Sequence, residues 1–238
     1  MFIIDLFPTF AVKKSITRKS KHKNSMKRLF TLVMAVVLPL CAMEAQGLFS
    51  NKEYEGGRQP RETYMHGAVP ESAEGKIEFT KTIEAAGQSK FDLYLKLSQW
   101  ANFRYNPSTE RGRWNDADYF KNSEYARIVK ASAEDGFIKI QGNEDMVFTN
   151  KTLAKDMAIV SYTLEMNVVN GKVTATIKNI SYTYSLTDTP ERIEAEDWIT
   201  DKEAITKSGK LNKGSGKFRV KTIDLKDELF KEIEEAVK

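Results

Sequence analysis

The chain is poor in the residues that ordinary catalysis and metal binding draw on. It has one cysteine, Cys41, and two histidines, His22 and His66. Zinc sites need several Cys or His ligands at close spacing, so no zinc centre is expected. A calcium loop of the D-x-D-x-D-G type is also missing, and no metal or cofactor is expected. Ser-His-Asp and Cys-His systems need a histidine on a rigid element, and none is available; Ser-Lys chemistry stays open on composition alone. Residues Gly209 to Lys217 have the glycines and lysines of a phosphate loop but not their order. Ser215 follows Gly214 directly, where the motif requires Gly-Lys before the hydroxyl residue. Carboxylates cluster at Glu191, Glu194, Glu196, Asp197 and Asp201, and read as a solvated helix face.

Long apolar runs are equally scarce. One, LFTLVMAVVLPLCAM, follows Met26-Lys27-Arg28. It falls short of the ~20 residues a spanning helix needs. A basic n-region followed by such a run is a secretory signal. Ala42-Met43-Glu44-Ala45 closes it with a small residue, which predicts cleavage between Ala45 and Gln46. A start at Met26 gives a signal peptide of ordinary form, and the basic segment before it lengthens the n-region. Two other readings exist, a lipid anchor on Cys41 and an uncleaved membrane anchor. The first lacks the small residue expected just before a lipidated cysteine, since Leu40 stands there.

A strong charge of either sign is also missing from the rest of the chain. Residues 1–45 hold eight of the 37 Lys and Arg and two of the 33 Asp and Glu, which leaves residues 46–238 at a formal net charge of −2. No whole-domain attraction for nucleic acid or anionic lipid follows, and no membrane span is expected in the mature chain. Cys41 leaves with the leader, so the exported domain has no disulfide and relies on its hydrophobic core, which about 160 residues suffice to build.

What is present is a strong β-hairpin at 157–186. Asn170-Gly171 is a two-residue turn signal, because both residues tolerate positive φ. It sets Val168 opposite Val173, Met166 opposite Ala175 and Leu164 opposite Ile177, all on one face. Past Ile177 the apolar parity changes, and a bulge near Lys178-Asn179 restores it and brings Tyr182 over Val160. The other face is rich in threonine and has no stacking aromatics for bases. A sheet greasy on one side calls for a helical layer there.

Around the hairpin, residues 46–75 are rich in Gly, Pro and charge and read as a flexible tether. Residues 76–238 form one α+β domain. Ile77 to Glu84 alternates as a first strand. Ser89 caps a helix over about 90–105, with Leu93, Leu97, Trp100, Ala101 and Arg104 on its core face. A polar loop at 106–123 carries Trp114, Tyr119 and Phe120. Tyr125, Arg127, Val129, Ala131 and Ala133 predict a second strand, which turns at Asp135-Gly136 to place Ile138 and Ile140 opposite Ala133 and Ala131. Gly142-Asn143 reads as a break. The region from Thr189 to Thr206 reads as polar with a short helix that lays Trp198 on the domain, and Lys207 to Lys217 as a flexible basic loop. Asp224 caps a last helix with the stripe Leu225, Leu229, Ile233, Ala236 and Val237. The order is β–α–β–β–β–β–α, an antiparallel sheet with two helices on one face.

Four stretches, GKIEFTKTIEA, LYLKLSQWANFRY, NGKVTATIKNISYTYSL and the tail from EAEDWITDKEAI through GKLNKGSGKFRVKTIDLKDELFKEI, resemble the domain of unknown function 4468 family. Its members are exported proteins typical of Bacteroidetes with a TATA-binding-protein-like fold. The resemblance covers about residues 76–237 and implies a β-α-β4-α helix-grip, and a leader ending in Ala-Gln also fits. It supplies no catalytic residues, and the fold name carries no DNA binding.

The expectation is an exported protein of the periplasm or outer membrane, not an enzyme. It would bind an envelope partner or small ligand through loops and a sheet edge, with Trp114, Tyr119 and Trp198 as candidate contacts. The alternatives are a purely structural domain, or a metal-free hydrolase that uses carboxylates and lysines in the concavity between the sheet and the last helix.

Overall fold

The computed structural model describes residues 54, 56–105, 126–151, 154–184 and 190–238. The leader, the Ala45–Gln46 junction, Trp114 and Tyr119 lie outside them.

Strands β4 (Ala154–Val169) and β5 (Lys172–Tyr184) form the expected hairpin. Val169 pairs with Lys172, Val168 with Val173, Met166 with Ala175 and Leu164 with Ile177. Gly171 takes φ 71° while Asn170 keeps a negative φ, so the two-residue turn forms without the positive φ at both positions that the dipeptide would tolerate. The bulge sits where the parity changed. Thr163 pairs with Lys178 and Ser161 with Ser181, so Tyr162 meets two residues of β5, and Asn179 takes φ 52°. Tyr182 then lies opposite Val160.

Six strands make one antiparallel sheet. The order is β1 (Phe79–Glu84), β5, β4, β3 (Phe137–Lys151), β2 (Arg127–Ser132), with β6 (Glu191–Glu194) also on β5. β1 pairs with residues 172–177 of β5 and β6 with residues 181–184, so the two share one edge. Helices α1 (Lys90–Arg104) and α3 (Ser215–Val237) pack on the greasy face and on each other, and α2 (Asp201–Ala204) is a single turn beside α3. Leu93, Leu97 and Ala101 of α1 meet Leu229 and Ile233 of α3 and Ile140, Leu164 and Val173 of the sheet in one buried cluster. Ser89 caps α1, its hydroxyl accepting the Asp92 N–H at 3.1 Å.

Several expectations are corrected. In β2, Val129 is exposed and Ile128 half-buried. Ile138 pairs with Ala131 and Ile140 with Ile128. Ser132 pairs with Phe137, so the loop has four residues rather than two; that moves the register by two and keeps Ala131 on the same face as Ile138. The exchange comes from the bulge, where Val129 is an extra residue in the ladder and Ile128 takes the core-side place. Gly142 is no break, because β3 runs straight through it. A Cβ there would overlap the ring of Tyr162 directly across on β4, so the glycine is a slot for that ring.

The last helix begins at Ser215, nine residues before Asp224. Its first half, Phe-Arg-Val-Lys-Thr-Ile-Asp, alternates like a strand in sequence yet is helical and buried on all sides. Residues 207–214 form an ordered turn, with Ile205 bridged to Leu211. The region 190–206 is a strand, a 3-10 turn and α2 rather than a charged helix.

The described part of the expected tether is packed down. Tyr64 and Val69 belong to the core, and Tyr54 packs against it. Gln59 donates to Asp227 at 2.7 Å and Arg58 to Glu228 at 2.7 Å, which straps residues 56–69 along α3.

Replacing Gly142 by Ala should cost about 1–3 kcal/mol, because the Tyr162 ring must leave its slot. Urea unfolding of Gly142→Ala against the parent chain measures it, and an unchanged midpoint would show the slot to be compliant.

Candidate functional site

Among the described residues four cations are buried, Arg104, Lys217, Arg219 and Lys221, and the first three mark the places where chemistry would most plainly reside. Arg104, at the end of α1, is fully buried and donates to the Glu144 carboxylate of β3 at 2.7 Å. Glu144 also accepts from the Tyr162 hydroxyl, which lies 2.9 Å from the hydroxyl of Tyr105. Glu232 of α3 closes the group, 3.3 Å from Arg104 Nε and accepting the Trp100 indole N–H at 3.1 Å. Burial is the largest influence and works against the Arg104 charge, but Glu144, Tyr162, Tyr105 and Glu232 together outweigh it and hold the guanidinium firmly protonated. The same burial pushes the Tyr105 and Tyr162 hydroxyls well above the usual phenol range.

Lys217, in the first turn of α3, donates to Asp156 and to the Tyr184 hydroxyl, both at 2.7 Å, and Tyr184 donates to Asp156 at 2.8 Å. Its ammonium lies 4.4 Å from the Phe148 ring centre and 4.5 Å from that of Tyr184, a cation–π arrangement. Burial pulls this ammonium below its ordinary value, and the Asp156 carboxylate opposes the shift.

Arg219, one turn on from Ser215, is spent on main chain. It donates to the carbonyls of Tyr64, Met65 and Ile199 at 2.6–2.7 Å and to Asp201 at 2.6 Å. The Tyr64 hydroxyl donates to Asp224 at 2.7 Å, and burial pushes that carboxyl upward.

These groups hold one another. A buried charge is stable only with such partners. Between the sheet and α3, the gap lined by Phe79, Tyr162, Ile177 and Leu225 is about 10 Å³. That is about the volume of a single water. Two surface hollows are larger. One of about 250 Å³ lies between β1 and the end of α3, where Lys81 and Lys238 pair with Glu234. The other, about 190 Å³, lies beneath Tyr54, Gln59 and Arg61. Among the described residues no group of three or more Cys, His, Asp or Glu is placed to hold a metal, and no helix is long and apolar enough to cross a membrane.

Of the candidate contacts, Trp198 is half-buried, its ring edge-on to Phe218 at 6.1 Å between centres. Its indole N–H meets no acceptor among the described residues. The carboxylate cluster does not converge. Glu194 pairs with Arg192 at 2.8 Å, Glu196 accepts the Ile77 N–H, and Asp201 goes to Arg219.

The feature that sequence reading passed over is the outer face of α1. Phe91 is 61 % exposed, Leu95 45 % and Phe103 67 %. At about 100° per residue they lie opposite the Leu93–Leu97–Ala101 stripe. Their spacing of four and eight residues was visible once the core stripe was set aside.

Comparison with known proteins places this geometry in a family context. The family model described as a domain of unknown function (DUF4468) with TBP-like fold matches residues 79–183. The crystal structure of a DUF4468 family protein from Bacteroides ovatus is 30 % identical, over 76 % of this chain and 96 % of that one, with a TM-score of 0.63. A TBP-like protein from Parabacteroides distasonis shares the fold at 19 % identity and a TM-score of 0.55, over 71 % of this chain and 96 % of that one. No curated protein matches.

Replacing Arg104 by Met alone should cost about 3–5 kcal/mol, because Glu144 is left charged and buried. Pairing Arg104→Met with Glu144→Leu should recover most of that loss in a double-mutant cycle of unfolding free energies. Additive losses would mean the two groups do not act as a pair.

Proposed function

Because the chain belongs to the DUF4468 family and has its TBP-like fold, we propose that it acts as an exported binding domain of the cell envelope rather than as an enzyme. One observation carries the reading: three large apolar side chains, Phe91, Leu95 and Phe103, stand in solvent on one helix face. Such a patch on a folded domain marks a surface that meets another molecule. The interior favours the same view, since the charges of Arg104, Lys217 and Arg219 are engaged within the fold. The open face of the sheet carries Thr80 against Thr176 at 3.1 Å and Glu165 between Lys139 and Lys178. That pattern solubilises a sheet and offers no stacking surface for nucleic acid.

Export rests on the basic Met26-Lys27-Arg28, the apolar run after it and the Ala45–Gln46 junction. Mass spectrometry of the protein recovered from the envelope fraction should find Gln46 at the amino terminus. An intact leader, or recovery from the cytosol alone, would remove this part of the reading. The outer face of α1 should also contribute little to folding. Phe91→Ser and Phe103→Ser should each shift the unfolding free energy by no more than about 0.5 kcal/mol. Losses of several kcal/mol would make the face structural.

A further inference from the structure

We infer that the outer face of α1 is a self-association surface, on which a second copy of this chain packs antiparallel. The inference rests on the binding role proposed above and names its partner. Phe91, Leu95, Gln99 and Phe103 form a continuous ridge four residues apart, all exposed. Such ridges are the elements that interlock when two helices pack. The ridge is nearly free of charge because the lysines of α1 are folded back. Lys90 Nζ donates to the Glu134 carbonyl at 2.6 Å and Lys96 Nζ to Gln88 Oε1 at 2.8 Å. Among the described residues of α1, Asp92 is left as the ionic group beside the ridge.

A two-fold axis near Leu97 makes the ridge complementary to itself. Phe91 then meets Phe103 of the second copy, Leu95 meets Gln99, and Asp92 meets Asn102. A parallel pairing would instead set Asp92 against its own copy, so charge selects the antiparallel arrangement. Area sets the strength. Two phenylalanines per copy, about two-thirds exposed out of roughly 200 Å² each, bury about 500 Å² in the pair. With Leu95, Gln99, Asp92 and Asn102 the total is about 1,000 Å², the lower bound for a specific interface. An interface of that size belongs to the weak, transient class.

Sedimentation equilibrium of the purified protein from about 1 µM to about 200 µM should show a monomer–dimer equilibrium. Phe103→Glu should weaken it at least tenfold with an unchanged melting temperature. In a Cys41→Ser background, mixing a Phe91→Cys protein with a Phe103→Cys protein should give a disulfide-linked dimer faster than either gives alone. A parent chain that stays monomeric throughout, or cross-linking without that preference, overturns the antiparallel dimer. Binding of the monomer to phosphatidylcholine vesicles, lost in Phe103→Glu, would also overturn it but leave the binding role intact, with lipid as occupant. Monomeric behaviour together with no effect of Phe103→Glu on vesicle binding would overturn both.

Discussion

Side-chain alternation ties each strand to its neighbour, and the tight turn at Asn170–Gly171 sets that alternation for the whole sheet. A slip of one residue there would carry Leu164, Met166, Val173 and Ala175 from the core to water. The bulge at Asn179 is the second half of the same constraint. It absorbs a change of parity within β5, so that Ile177 on one side and Tyr182 on the other both face inward. The helices have no freedom after that. Two amphipathic segments must cover one greasy surface, and they meet each other along Leu97, Ala101, Leu229 and Ile233.

Within that cover the protein encloses more charge than its small size would lead one to expect. Arg104, Lys217 and Arg219 each lie under the surface and each is held differently, by carboxylates and phenols, by an aromatic box with an aspartate, and by main-chain carbonyls with Asp201. Buried ionic groups of this kind contribute little net stability, but they punish any arrangement that leaves them unpaired. They single out one packing of α1 and α3 among the many that a purely greasy interface would accept. Gly142 belongs to this device, because it makes the room in which Tyr162 reaches Glu144.

Much of this was legible in the chain itself. The hairpin, its bulge, the Ser89 cap and the core stripe of α1 were read correctly because short-range rules decide them: turn chemistry, period and capping. The errors have a common physical origin in long-range packing. Val129 and Ile128 exchanged faces because a bulge at Val129, which no local signal announces, changes the parity of β2. The last helix reads as starting at Asp224 because Phe218 to Ile223 shows no one-sided stripe, and it is helical from Ser215 because it is buried on every side. Residues 56–75 lack any period, yet Tyr64 and Arg58 find partners 160 and 170 residues away. The outer face of α1 was hidden for a simpler reason. Once a helix has one apolar stripe, a second draws no notice.

The strap along α3 redraws the limit of the cooperative folding unit. Arg219 takes two of its four acceptors from Tyr64 and Met65, which precede the first strand by more than ten residues. A chain trimmed to the six strands and their helices would expose the guanidinium's binding pocket while stripping it of half its ligands. The contacts that hold the buried end of α3 therefore reach back to residues 58–65, well ahead of the stretch that family similarity marks out at 79–183.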